Sequence, residues 1–71
     1  METIKLRETD EFIKLGQALK TAGLESSGGD AKMDIQSGLV KVNGEIEERR
    51  GRKLYDGDIF EFDGKQVKVE K

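Results

Sequence analysis

From Thr3 to Arg7 (TIKLR) polar and apolar residues alternate, which places Ile4 and Leu6 on one face and predicts a short strand. The period then lengthens. Phe12, Leu15, Leu19 and Ala22 recur at helical spacing while Lys14, Gln17 and Thr21 share another face, so a first helix is expected from Phe12 to Gly23. Thr9 or Asp10 would cap it, and Glu8, Asp10 and Glu11 place negative charge at the positive end of its dipole. A second helix is expected from about Gly28 to Ser37, with Ala31 and Ile35 one turn apart. Ser27 would be its N-cap, reciprocated by Asp30 in a capping box, and Gly38 its stop. Isolated helices shorter than roughly 12 residues are marginal in water, so this one must pack on the first helix and on a sheet.

The remainder reads as β-structure. Leu39 to Val42 alternates, Asn43-Gly44 suits a type I′ hairpin turn, and Glu45 to Glu48 is the return strand. A basic loop, Arg49 to Lys53, follows, and then Leu54 and Tyr55. Asp56-Gly57 and Asp63-Gly64 mark two further turns. Between them Asp58 to Phe62 offers Ile59, Phe60 and Phe62 to a core, and after them Gln66 to Glu70 alternates with Val67 and Val69. The order of one strand, two helices and four short strands describes a single α+β domain over residues 1–71, its helices forming a hairpin.

Composition narrows the function. Leu, Ile, Val and Phe account for 18 of 71 residues, above the roughly 20% typical of disordered chains, so a thin core is expected. The chain lacks both cysteine and histidine, and neither Ser26 nor Ser27 has an evident base beside it. Catalysis is therefore not expected, and no cofactor is implied. SSGGDAK lacks P-loop spacing. Glu45, Glu47 and Glu48 beside the basic loop read as solvated charge partners rather than metal ligands. No apolar run is long enough for a signal peptide or a membrane span, so a soluble cytoplasmic protein is expected.

A binding role fits better. Gly28 and Gly29 in the first turn of the second helix would leave backbone N–H groups open to a phosphate, although they equally suit a tight connection between helices, and Asp30 would repel an anion there. Lys14, Lys20, Lys32, Lys41, Arg49, Arg50, Arg52 and Lys53 form one basic surface if the fold brings them together. Lys20 and Lys41 taken singly read as solvated charges, whereas four cations within Arg49 to Lys53 are well placed to grip a phosphate backbone. The formal net charge of −2 allows this if the acidic residues segregate to another face. Phe12, Phe60 and Phe62 sit in core-like patterns, leaving Tyr55 as the free aromatic, so stacking of single-stranded bases is not the expected mode.

Lys14-Leu15, Gly23, Ser27, Ala31-Lys32, Ile35, Gly38, Val40-Lys41-Val42-Asn43-Gly44 and Gly57-Asp58 together resemble the RNA-binding domain named after small-subunit ribosomal protein S-four, the αL motif. Within that superfamily the chain looks most like the small stand-alone bacterial members of the YaaA and YbcJ kind. The resemblance implies a helical hairpin packed on a small, bent, mostly antiparallel sheet, and a monomer that contacts structured RNA, ribosomal or transfer, in translation or ribosome assembly. Carried over by position, Lys14, Ser27, Gly28, Lys32 and Lys41 would touch RNA, with the Arg49 to Lys53 loop added by the stand-alone type. Two residues depart from the pattern. Gly28 stands where the family often has arginine, and Asp34 stands where an apolar residue is usual, so the second helix would pack loosely or pair Asp34 with a cation. The rivals are a ubiquitin-like protein-interaction domain, from which sulfur carriage is set aside because the chain ends Val69-Glu70-Lys71 rather than Gly-Gly, and a DNA-binding accessory factor.

Overall fold

The computed structural model describes residues 1–25 and 28–71. In chain order the elements are β1 (Glu2–Lys5), β2 (Phe12–Lys14), α1 (Leu15–Thr21), α2 (Gly28–Gln36), β3 (Val40–Val42), β4 (Glu45–Ile46), β5 (Lys53–Tyr55), β6 (Ile59–Phe62) and β7 (Lys65–Glu70). Two sheets result. Five strands assemble in the order β1-β7-β6-β3-β4, and β2 pairs with β5 in a separate two-stranded ribbon. The pairings are antiparallel except β1 with β7, which run parallel with Ile4 opposite Val69.

The hairpin turns follow their residue types. Asn43 (φ 52°) and Gly44 (φ 86°) both adopt the left-handed backbone that a type I′ turn requires, as do Asp63 (φ 54°) and Gly64 (φ 75°). Asn43 also ties the sheet together: its side-chain oxygen accepts from the Ile59 N–H at 3.0 Å, and its amide donates to Asp58 Oδ1 at 3.1 Å. Gly38 (φ 79°) ends the second helix as its position suggested.

One hydrophobic core joins sheet and helices. Leu15, Ala18 and Leu19 of α1 and Ala31 and Ile35 of α2 are buried with Ile4, Leu6, Val40, Val42, Leu54, Phe60, Val67 and Val69. Phe60 is the largest fully buried side chain, whereas Ile59 and Phe62 are half-buried, so Phe60 rather than its two neighbours is the anchor of β6. The register explains this, since Phe60 faces Val42 on one side and Val67 on the other.

The first helix begins later than its apolar spacing suggests. Phe12 to Lys14 is extended and pairs with Lys53 to Tyr55, with Phe12 opposite Tyr55 and Lys14 opposite Lys53. Helix α1 therefore starts at Leu15, with Lys14 in extended conformation (φ −76°, ψ 145°) at its N-cap and neither Thr9 nor Asp10 in that role. Phe12 satisfied a helical period only by coincidence. Pairing with β5 holds it in the ribbon instead. The expected capping box of Ser27 with Asp30 lies outside the described residues.

Candidate nucleic-acid interface

The basic loop is docked on the start of α1. The Leu15 N–H donates to the Arg52 carbonyl at 2.8 Å and the Gly16 N–H to the Arg50 carbonyl at 3.1 Å, so two of the helix's first N–H groups are satisfied by the loop. Gly16 allows the approach. A Cβ built there would lie 2.7 Å from Arg50 Cγ and 3.3 Å from Cδ, inside van der Waals contact. The stem of Arg50 thus lies across a notch that only glycine leaves open.

The loop is braced from within by Glu47, a buried carboxylate that is 7% exposed. Arg49 meets it in a fork, Nε to Oε2 and Nη2 to Oε1 both at 3.0 Å, and the Arg49 backbone N–H adds a third bond at 3.1 Å. Arg52 Nη1 donates to Oε1 at 2.7 Å. These charge-assisted bonds, the pair to the Arg49 side chain first, outweigh burial and hold the Glu47 carboxyl down at about 2. Glu47 is therefore not the solvated partner its sequence context suggested. The hairpin register carried the missing signal: Val42 pairs with Glu45 across the turn, and the Glu47 N–H bonds to the Val40 carbonyl, so Glu47 shares the inward face of Val40.

Lys14, Gly16, Gln17 and Lys20 then line one cleft of about 310 Å³ together with Arg50 and Gly51. The three cations come from the end of β2, the helix and the loop. Among the described residues no carboxylate lines this cleft. Arg49, Gly51, Arg52 and Lys53 line a second, open recess with Tyr55, and Gly51 belongs to both.

The eight expected cations are thus only partly united. Lys14, Lys20 and Arg50 converge, Lys53 stands beside them in the ribbon, and Arg49 and Arg52 spend guanidinium bonds on Glu47. Lys32 is exposed on α2 and Lys41 is exposed on β3 opposite Glu61, and neither lines the cleft. Gly28 and Gly29 begin α2, with Asp30 in its first turn. That end of the helix is acidic. Glu25 has its Oε1 buried without a hydrogen-bond partner among the described residues. Hydrogen bonding with Asp34, then burial, then repulsion from Asp34 and Asp30 push Glu25 up to about 7. The partner of Asp34 is therefore another acid, not a cation. Asp30 and Asp34 oppose a phosphate at Gly28 and Gly29, whereas among the described residues no carboxylate lines the cleft beside α1. Ser27 lies outside the described residues.

Two predictions arise here. Folded Glu25 retains its proton to a higher pH than the unfolded chain, so the stability it contributes is present below about 4.5 and is lost as pH rises through about 7. Glu25→Gln is expected to flatten that limb and to raise the melting temperature at mildly alkaline pH, which melts recorded across pH will show. Gly16→Ala is expected to displace Arg50 from its notch and weaken polyanion binding roughly five- to tenfold, with a smaller effect on the melt, because a single mobile side chain rather than the core gives way.

The chain is thus a small mixed α+β domain with two helices, in which three cations gather where a helix meets a loop. Residues 4–70 match the S4 domain model, and the chain belongs to that family. Over 54 residues, 76% of each chain, it is 52% identical to the probable ribosome maturation protein RlbA of Bacillus subtilis. The putative RNA-binding protein YbcJ of Escherichia coli is 39% identical over 57 residues, 80% of this chain and 81% of that one. The solution structure of YbcJ, described as revealing an αL motif involved in RNA binding, matches with a TM-score of 0.74 at 35% identity, covering 100% of this chain and 89% of the other.

Proposed function

We propose that this chain works as a single, non-enzymatic RNA-binding domain of the cytoplasm, one that holds structured ribosomal or transfer RNA by its phosphates and serves ribosome maturation. The convergence of Lys14, Lys20 and Arg50 on one cleft carries the proposal, because they meet there without a carboxylate among the described lining residues. The names of the bacterial relatives support the RNA class and the ribosomal context. The two helices, packed against each other and on the sheet, are read as the αL hairpin, with Lys14 and Lys20 its contacts and Lys32 and Lys41 at its margin. Recognition is then chiefly of backbone and shape, as is usual for folded RNA.

A titration of a structured ribosomal RNA fragment at several salt concentrations tests this. Each neutralised phosphate contributes somewhat under one unit to the slope of log affinity against log salt, so three contacts give a slope of roughly −2 to −3. An affinity indifferent to salt would overturn the proposal.

A further inference from the structure

Phe12 and Tyr55 are not absorbed by the core. Directly opposite each other in the β2–β5 ribbon, they place their rings 5.8 Å apart at a tilt of 52°, with Tyr55 47% exposed and Phe12 half-buried. Lys53 Nζ lies 4.9 Å from the centre of the Phe12 ring. Tyr55 forms one wall of an open recess of about 600 Å³ whose other lining residues are Arg49, Gly51, Arg52 and Lys53. Gly51 connects this recess to the cleft of Lys14, Lys20 and Arg50.

We propose that this recess is a nucleotide subsite in which an unpaired base of the bound RNA stacks on Tyr55 while its phosphates rest on the Arg49, Arg52 and Lys53 side. The inference rests on the RNA-binding reading above and adds to it which part of the RNA is held. The chemistry points one way. An exposed aromatic ring gains little in water but offers a sequence-tolerant platform to the face of any base. Glu47 balances one of the two guanidiniums beside it, and with Lys53 the recess still carries a surplus of positive charge, which suits a ligand that brings a flat ring and an anion together. The ring is also held in place. Lys53 covers Phe12, Phe12 abuts Tyr55, and the Tyr55 backbone N–H donates to Asp58 Oδ2 at 2.8 Å, so little ordering is needed when a base arrives. Continuity through Gly51 lets one strand run from the paired segment in the cleft to an extruded nucleotide at the ribbon. The sequence leaves Tyr55 as the one free aromatic and does not favour stacking of single-stranded bases; a base on Tyr55 departs from that expectation because Phe12 lies beside Tyr55 in the ribbon rather than in the core.

The experiment compares two RNA hairpins of equal length, one fully paired in its stem and one with a single bulged 2-aminopurine, titrated against the wild-type chain, Tyr55→Leu and Tyr55→Trp. The wild type is expected to bind the bulged hairpin at least fivefold more tightly, with quenching of the 2-aminopurine emission, as base–aromatic stacking would supply. Tyr55→Leu should lose that preference yet bind the paired hairpin within about twofold of wild type, and Tyr55→Trp should restore the preference. Thermal melts establish that each variant is folded, which the exposure of Tyr55 favours. Equal affinity of the folded wild type for both hairpins, or an undiminished preference in Tyr55→Leu, overturns the subsite and leaves the cleft standing. Failure to bind either hairpin overturns both. Displacement of the bulged hairpin by a glutamate-rich peptide of equal charge, with a loss in Tyr55→Leu, would assign the recess to an acidic protein segment and overturn the nucleotide.

Discussion

Glu47→Ala is expected to destabilise the folded chain by about 1–3 kcal/mol at neutral pH, the scale of hydrogen bonds to a charged group. In a domain this small that is a fall in melting temperature of roughly 10 °C. The removed carboxylate accepts four bonds from Arg49 and Arg52. The cost stays below the 3–5 kcal/mol typical of breaking a wholly buried ion pair because the orphaned cations reach water, the Arg49 side chain being 75% exposed and that of Arg52 35%. The pH dependence identifies the cause. Folded Glu47 titrates near 2, well below its ordinary 4.5, so its stabilisation is present above about 4.5 and is lost as pH falls toward 2. Glu47→Ala should lack that acid limb, whereas an exposed neighbour, Glu48→Ala, should keep it. Urea unfolding at a series of pH values reads both.

Replacing Lys14, Lys20 and Arg50 together with glutamate is expected to lower affinity for structured RNA by roughly two to three orders of magnitude at low salt, from about 1 kcal/mol or more per lost phosphate contact plus the new repulsion. The salt slope should shrink by roughly two to three units. Stability should change little, because Lys14 and Lys20 are exposed and Arg50 contributes its backbone carbonyl rather than its charge to the docking of α1. Reversing Lys32 and Lys41 instead is expected to cost about tenfold or less, since neither lines the cleft. Filter binding or fluorescence anisotropy against the same RNA separates the two outcomes.

Local chemistry was legible in the sequence wherever a few neighbouring residues decide the outcome. Asn43-Gly44 and Asp63-Gly64 specify their turns through backbone conformation, Gly38 ends a helix, and the spacing of Ala31 with Ile35 and of Val67 with Val69 marks what is buried. What escaped was non-local. Phe12 fits a helical stripe with Leu15 and Leu19, and only the strand Lys53–Tyr55, far along the chain, draws it into a ribbon and out of the core. The parallel pairing of β1 with β7 likewise joins the two ends of the described fold and leaves no trace in either strand's alternation. At the site, a run such as EIEERRGRK announces a cationic loop but not which of its charges will be consumed internally. The inward register of Glu47 decides that, turning Arg49 and Arg52 into braces and leaving Arg50 to face the cleft. Gly16 carries no signal of its own within the expected first helix, and its role appears only when Arg50 is seen lying across it.

On the proposed function, RNA is held at the junction of α1 with the basic loop. Backbone amide spectra of the labelled chain, recorded while a structured ribosomal RNA fragment is added, test it most directly. The largest shifts are expected on Lys14, Gly16, Gln17, Lys20, Arg50 and Gly51, and are expected to vanish in the triple reversal. Shifts centred instead on Gly29, Lys32 and Lys41, with the α1 junction unmoved, would contradict it.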